Sequence, residues 1–174
     1  RGTAHFKNAT ASGVSYIADI HITDPPYADA VQYDEITEFF IAWLRKNPLA
    51  PFNEWIWDSR RNIAIKGEGQ SFKAAMIDAY GPMTEHMSDN GRQIVQFTHQ
   101  DAKTWSDMAQ IFWGAGLQVV QDWYVSTETM TELKKGGYVQ GTHMIVLKKR
   151  QGDQSGYQDE IVHEIRDEVE RQIK

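Results

Sequence analysis

The residues of this chain best suited to chemistry are Asp24, Pro25, Pro26 and Tyr27, which directly follow an apolar run at residues 16–23. The run predicts a β-strand, and the prolines must end it because they fix φ and lack a backbone N–H. A carboxylate, free carbonyl oxygens and an aromatic ring therefore stand at the carboxyl end of a strand, where open α/β sheets bind ligands. A turn of this kind can hold a planar group that carries an amine.

Hydrophobic spacing predicts the helices that surround this turn. One helix follows an N-cap at Asp34, places Phe39 and Phe40 in the core and ends at residues 47–48. A later helix is expected to begin after Asp101, whose carboxylate can accept a hydrogen bond from the free N–H groups of the first turn.

A longer helix is predicted from Ser71 through Met87, with Tyr80 in its buried stripe. The Gly-Pro pair at residues 81–82 should bend or break this helix, because proline removes one helical hydrogen bond. Gly91 suits the position that follows the helix end, where glycine is common.

Strand patterns recur at residues 92–99, 117–126 and 142–148, and the last two are expected to form an antiparallel pair. The alternation of strands and helices is typical of an α/β fold with a mostly parallel sheet and helices on its faces. Residues 1–150 would form this unit. Residues 151–174 predict a charged, amphipathic C-terminal helix that packs on its own domain or on a partner.

Composition excludes several classes of protein. The chain has 174 residues, a net charge of −6 and no cysteine. The lack of cysteine excludes a disulfide scaffold and a Cys-ligated zinc site, and it suits a cytoplasmic protein. No apolar stretch reaches the roughly 18 residues of a membrane span, and His5, His86 and His163 lack metal-ligand spacing with one another. The sequence therefore predicts no metal site. The basic residues form small separate clusters, so it predicts no broad basic face either.

An Asp-Pro-Pro-Tyr sequence after an apolar strand resembles motif IV of the S-adenosylmethionine-dependent amino-group methyltransferases. The likeness extends over roughly residues 5–150 and is closest to a group of large, poorly characterised adenine-specific DNA methylases that carry an additional domain of unknown function. Beyond the motif it rests on Asp29, Val31, Tyr33, Phe39, Phe40, Trp43, Leu44, Arg45, the segment 80–85, Gly91, the segment 97–99, Trp105, Ala115, Gly116, Thr127 and Glu128.

The resemblance implies a role for each residue of the turn. The side chain of Asp24 and the carbonyl of Pro25 would accept hydrogen bonds from the exocyclic amine of a flipped base, Tyr27 would stack on that base, and Pro26 would keep the turn rigid. The activity implied is site-specific methylation of adenine N6 in DNA. Tyr33 and His99 are further candidates for the base pocket, although His99 also fits an ordinary strand end.

The chain departs from the family pattern in its glycines. The family binds S-adenosylmethionine through a glycine loop between a strand and a helix, whereas the glycines at residues 67–69, 114–116 and 136–137 suit loops or helix ends. The cofactor-binding residues are therefore unknown. The strands correspond to the fourth to seventh of a partial Rossmann-like methyltransferase sheet, so the N-terminal cofactor-binding half is expected upstream, and this chain alone is expected to be inactive.

A sheet that lacks its first strands has an open edge at residues 16–23. Exposed edges pair readily with other chains, so the sequence predicts self-association, strand swapping or cover by the N-terminal residues. Two alternatives to the adenine-N6 prediction remain open. The target could be cytosine N4 or an RNA base, or the chain could be a non-catalytic or regulatory interaction module with a methyltransferase fold.

Overall fold

The computed structural model describes residues 2–7, 9–26, 33–58, 64–65, 69–126, 141–152 and 158–173. Its main elements are β1 (Ala18–Thr23), α1 (Tyr33–Leu44), α2 (Gly69–Glu85), β2 (Met87–Phe97), α3 (Ala102–Gly114), β3 (Leu117–Ser126), β4 (Gly141–Lys149) and α4 (Gln158–Ile173). Two short 3₁₀ turns span Ala11–Gly13 and Phe52–Glu54. The chain is thus an α/β protein, as its alternating pattern predicts.

The four described strands form one sheet in the order β1-β2-β4-β3. β1 pairs with β2 in parallel, whereas β4 is antiparallel to both β2 and β3. The predicted antiparallel pair of the last two strands is confirmed. The prediction of a mostly parallel sheet is wrong, because β4 reverses direction after β3 and inserts between β3 and β2, so most pairings between the described strands are antiparallel.

The sheet order brings several strand ends to one edge. β1 and β2 run in parallel, and β3 has the direction of β2 because both are antiparallel to β4. The carboxyl ends of β1, β2 and β3 therefore lie at the same edge, together with the beginning of β4. We call this the carboxyl edge, and Asp24 follows β1 there.

The core lies between one face of the sheet and the helices α2 and α3. Its buried side chains come from α2, α3 and the strands β2, β3 and β4: Phe72, Met76, Tyr80, Met83, Met87, Val95, Phe97, Met108, Ile111, Phe112, Ala115, Leu117, Ile145 and Leu147. The other face carries Ile22, Ile94 and Val146, which pair across β1, β2 and β4. Ile22 is exposed and its two partners are only half-buried. The sequence predicts helices on the faces of the sheet. Within the described residues, helices therefore cover one face.

The junction of α2 and β2 differs from the prediction. α2 continues through Pro82 and ends at Glu85, and Met87 is the first residue of β2. Gly91 lies inside β2, at the bulge where its register with β1 shifts. A Cβ at Gly91 would lie 2.9 Å from the Ser88 carbonyl oxygen and 3.0 Å from that of Asp19. Close packing of two strands therefore requires this glycine, which does not cap a helix.

The ends predicted for α3 agree with the structure, whereas the burial predicted for α1 does not. The Asp101 carboxylate accepts a hydrogen bond from the Thr104 backbone N–H at 2.9 Å, which confirms the predicted N-cap. Phe39 and Phe40 lie on exposed faces of α1 and not in the core, so that prediction is wrong. Their rings contact each other edge to face, and most apolar residues of the helix are exposed.

The C-terminal helix α4 lies within residues 151–174, for which the sequence predicts a charged, amphipathic helix. Its apolar residues Val162, Ile165 and Val169 are exposed. None of the described helices combines the length and the hydrophobicity that crossing a bilayer requires.

Candidate functional site

The turn after β1 forms one wall of a pocket. Asp24 is exposed, whereas Pro25 and Pro26 are half-buried. With Ala64 and Ile65 they line an open cavity of about 340 Å³. Ile65 also packs against the hydrophobic core, so the far wall of the cavity is supported from behind. A cavity of this size is at the lower end of the range found for small-molecule sites, roughly 300–1,000 Å³.

The last residue of β1 is tied to α2 by a pair of hydroxyl groups. The Tyr80 Oη atom lies 3.1 Å from Thr23 Oγ1. Tyr80 is only 2% exposed, and its ring packs edge to face against Phe112 of α3, with 5.8 Å between ring centroids. The strand end next to Asp24 is therefore anchored to the core. A tyrosine in a buried helical stripe was visible in the sequence, and such a hydroxyl usually has a hydrogen-bond partner.

The electrostatics of Tyr80 connect it to the turn. Burial raises the pKa of the Tyr80 phenol to about 12, the hydrogen bond with Thr23 lowers it, and the negative charge of Asp24 raises it. The phenol therefore keeps its proton at neutral pH.

His99 follows the end of β2 at the same carboxyl edge, but it does not line the cavity. Its Nδ1 accepts a hydrogen bond from the Asp101 backbone N–H at 3.0 Å. Its carbonyl oxygen accepts one from Trp105 Nε1 at 2.9 Å. These contacts hold His99 in the turn that leads into α3, so its role in binding a base stays a prediction.

Two other predicted site residues cannot be compared with the cavity. Tyr27 lies outside the described residues, and its predicted stacking role stays a prediction. Tyr33 is the first residue of α1, but its side chain lies outside what is described. Of the predicted site residues, Asp24, Pro25 and Pro26 are therefore the three that share one cavity.

A histidine–carboxylate pair occupies another part of the carboxyl edge. His143 Nδ1 lies 2.7 Å from Asp122 Oδ2 across the pairing of β4 with β3. The imidazole contacts the rings of Trp105 and Tyr124, with centroid distances of 5.0 and 5.2 Å. In the sheet order, His143 on β4 is two strands from β1 and Asp122 on β3 is three, so the pair lies roughly 10 Å or more from β1, since neighbouring strands lie about 4.8 Å apart. The pair is therefore not part of the Asp24 cavity.

The basic cluster 148–150 lies at the opposite edge, because β4 runs away from the carboxyl edge. Arg150 lies over the ring of Trp113 at 4.2 Å, and Lys149 faces Asp89 at 3.8 Å. Arg150 and Lys149 make these local contacts at the end of the sheet opposite the carboxyl edge. They are therefore too far from Asp24 to hold a ligand there. The other clustered basic residues, Arg60, Arg61, Lys66, Lys134 and Lys135, lie outside the described residues.

Of the glycines at residues 67–69, 114–116 and 136–137, those that the structure describes do not lie in a loop that leads from a strand into a helix, as the family's cofactor loop does. Gly114 ends α3, Gly116 follows with φ of 75°, and Gly69 begins α2, so none of them joins a strand to a helix. Gly67, Gly136 and Gly137 lie outside the described residues. In the described part of the chain, no cluster of three or more His, Asp or Glu side chains could hold a metal ion.

No protein-family model matches the chain, and a search of curated proteins finds no significant match.

Proposed function

We propose that this chain is the target-base half of a methyltransferase that transfers a methyl group from S-adenosylmethionine to the exocyclic N6 of adenine in DNA. The observation that carries the proposal is the cavity at the carboxyl edge, which Asp24, Pro25 and Pro26 line together. The resemblance of the Asp-Pro-Pro-Tyr sequence to the amino-methyltransferase motif supplies the reaction type. The four described strands would be the substrate side of a Rossmann-like methyltransferase sheet.

The chemistry of the turn follows from its acceptors. An exocyclic amine has a lone pair that is conjugated into the base ring and is a weak nucleophile. Hydrogen bonds from its two N–H groups to the Asp24 carboxylate and the Pro25 carbonyl would favour a tetrahedral nitrogen and free the lone pair. They would also fix the direction of attack, and such positioning is a large part of rate enhancement in group transfer.

Access to the site requires the base to leave the duplex. A paired base cannot reach a turn at a sheet edge, so the target nucleotide must be extruded, which costs a few kcal/mol. Stacking on Tyr27 would offset roughly 1–3 kcal/mol of that cost. Asp24 is exposed at the cavity wall, which leaves the amine acceptor accessible to a base that arrives from outside.

The methyl donor would be bound by the other half of the same protein. Among the described residues, none pairs with the free edge of β1, and the described N-terminal turn Ala11–Gly13 packs against α2 instead. Ile20 and Ile22 are exposed on β1, and the apolar residues of α1 are exposed as well. A cofactor half that adds a parallel strand beside β1 would cover these side chains and bring the methyl donor to the Asp24 cavity.

Methyl transfer by the intact protein tests the proposal. We expect label from the methyl group of S-adenosylmethionine to enter duplex DNA, and nucleoside digestion with mass spectrometry to identify N6-methyladenine. Asp24→Ala should lower transfer roughly 100-fold, since loss of one group that stabilises the transition state has an effect of this order. Asp89→Ala, an exposed carboxylate at the opposite edge, is the matched control and should keep full activity.

Three results would separate the alternatives. Label in N4-methylcytosine or in RNA would keep the reaction type and change the target. Absence of label with intact protein, or full activity of the Asp24→Ala variant, would contradict the proposal. Calorimetry of this chain alone with S-adenosylmethionine should show no binding, and micromolar affinity would contradict the division into two halves.

A second candidate is a non-catalytic interaction module. The exposed apolar stripe of α1, which includes Phe39 and Trp43, favours it, because contiguous exposed apolar surface usually marks a binding site. This function would leave the intact protein without methyl transfer while Phe39→Ser and Trp43→Ser abolish its association with a partner. Methyl transfer that depends on Asp24 would rule it out as the sole function.

A further inference from the structure

The hydroxyl pair of Tyr80 and Thr23 joins two elements that are far apart in sequence. Tyr80 lies in α2 and Thr23 is the last residue of β1, directly before Asp24. The two oxygens are 3.1 Å apart, and Tyr80 is almost fully buried. Asp24, the first of the residues proposed to bind the amine, therefore directly follows a residue whose side chain is hydrogen-bonded to the core.

The hydroxyl groups of Tyr80 and Thr23 are hydrogen-bonded to each other, and either can be the donor. The phenol of Tyr80 keeps its proton at neutral pH. Because Tyr80 is almost fully buried, loss of this partner would leave a buried hydroxyl unpaired, at a cost of about 1–3 kcal/mol.

Tyr80 is itself held from behind. Its backbone carbonyl accepts a hydrogen bond from Thr84 Oγ1 at 3.0 Å, and Thr84 Oγ1 accepts one from Gln93 Nε2 at 3.2 Å. Gln93 is fully buried in β2. A chain of polar contacts therefore runs from the parallel strand β2, through α2, to the end of β1.

We propose that Tyr80 is a positioning residue for the reaction at Asp24. Its hydroxyl fixes Thr23 and, through it, the path on which the Asp24 carboxylate and the Pro25 carbonyl leave the sheet. Tyr80 does not touch the base. This role rests on the proposed methyl transfer. It is needed because β1 has one neighbouring strand among the described residues, so its end lacks the second ladder that would otherwise hold it.

Steady-state kinetics of the intact protein test this role. Tyr80→Phe should lower kcat about tenfold while KM for DNA changes less than about twofold, because small misplacement of a reacting group acts on the transition state more than on binding. Thr23→Val should have the same effect, Thr23→Ser should restore most of the rate, and the double variant Tyr80→Phe with Thr23→Val should be no slower than either single one.

A packing control separates positioning from stability. Phe112→Leu changes the ring that packs against Tyr80 and leaves the hydroxyl pair in place. It should lower the unfolding midpoint without lowering kcat at a temperature where the protein is folded. Denaturant unfolding of this chain supplies a readout without activity: the combined loss in Tyr80→Phe with Thr23→Val should be smaller than the sum of the single losses.

The possible results distinguish a failure of the proposed function from a failure of the positioning role. Wild-type protein that transfers no methyl group would overturn the proposed function together with this role. Wild-type transfer with unchanged kcat in Tyr80→Phe, additive losses in the double variant, or an equal fall in kcat for Phe112→Leu would overturn the positioning role alone.

Discussion

The two sides of β1 differ sharply in how far their apolar side chains are buried. On the face toward α2 and α3, the apolar core side chains of β2 and β4 are almost completely buried. At the free edge of β1 and along α1, residues of the same types are exposed. Composition is therefore not what distinguishes a core from a surface in this chain. A second covering layer is present on one side, and the described residues supply none on the other.

The candidate site lies on the border between these two sides. Thr23 is bound to the buried side through Tyr80, whereas Ile22, the residue before it, is exposed. The turn at Asp24 thus takes its rigidity from the core and faces the side where a partner is expected. Under the proposed function, the described residues supply the acceptors for the amine, and the other half of the protein would supply the methyl donor.

The largest expected effect comes from the same substitution on each side. Phe97→Ala removes a ring that is 1% exposed, and it should lower the free energy of unfolding by about 3–5 kcal/mol through lost burial and a residual cavity. Phe39→Ala removes a ring that is 64% exposed, and it should change that free energy by less than about 0.5 kcal/mol. Urea unfolding of both variants provides the measurement. Similar losses for the two would mean that α1 packs against the protein in solution.

A second pair of variants tests how tightly β1 is attached to the buried side. Gly91→Ala would place a Cβ against the carbonyl oxygens of Ser88 and Asp19, and backbone atoms cannot move aside cheaply. We expect a loss of about 1–3 kcal/mol in unfolding free energy. Gly114→Ala meets only the flexible end of Ile77, at 2.7 Å, and should stay within about 0.5 kcal/mol of wild type. Equal stability of the two variants would argue against the bulge between β1 and β2.

The exposed side should support association, and a charge should weaken it. Ile22 is 64% exposed on the edge strand, and lysine on an edge opposes pairing with a second chain. We expect sedimentation analysis to show self-association of this chain, with a dissociation constant that rises at least about tenfold in Ile22→Lys, equivalent to 1.4 kcal/mol. Leu49→Lys, an exposed residue away from the edge, is the control. A monomer at all concentrations would contradict the prediction.

Sequence reasoning succeeded where local chemistry decides the structure. The bounds of β3, the Asp101 cap and the end of β1 at the prolines follow from residues within a few positions of one another. The prediction that Gly91 follows a helix end is wrong because β2 begins at Met87 and bulges beside β1, where a Cβ at Gly91 would meet Ser88 of its own strand and Asp19 of β1. The contact with Asp19 depends on how the two strands pair, which local signals do not reveal.

The candidate site also combines features that neighbouring residues decide with features that depend on residues far apart in sequence. The turn at Asp24 was predictable because proline acts on its own backbone. The Thr23–Tyr80 hydrogen bond joins residues 57 positions apart, so it depends on how α2 lies across the sheet. The insertion of β4 between β2 and β3 was likewise beyond prediction, since either side of β3 offers the same hydrogen-bonding groups to a returning strand.

The smallest expected effect is a pH dependence at the border itself. His21 of β1 is 8% exposed, and its Nε2 is buried without a hydrogen-bond partner. Burial lowers the pKa of His21 below its ordinary value of 6.5, the hydrogen bond to the His86 backbone raises it, and the charge of His86 lowers it. The neutral ring is thus favoured in the folded state.

The sign of the effect follows from proton uptake. Because the folded state holds the His21 proton less tightly than the unfolded state, stability is fully present above pH 6.5 and falls as the pH drops from 6.5 toward the folded pKa. His21→Leu should therefore flatten the decrease in unfolding free energy between pH 7 and pH 5, measured by urea unfolding. His163→Gln, an exposed residue of α4, should keep the wild-type slope. An unchanged slope in His21→Leu would mean that water reaches this ring from the uncovered side of β1, and that the border of the core lies farther inside than Thr23 and Tyr80 indicate.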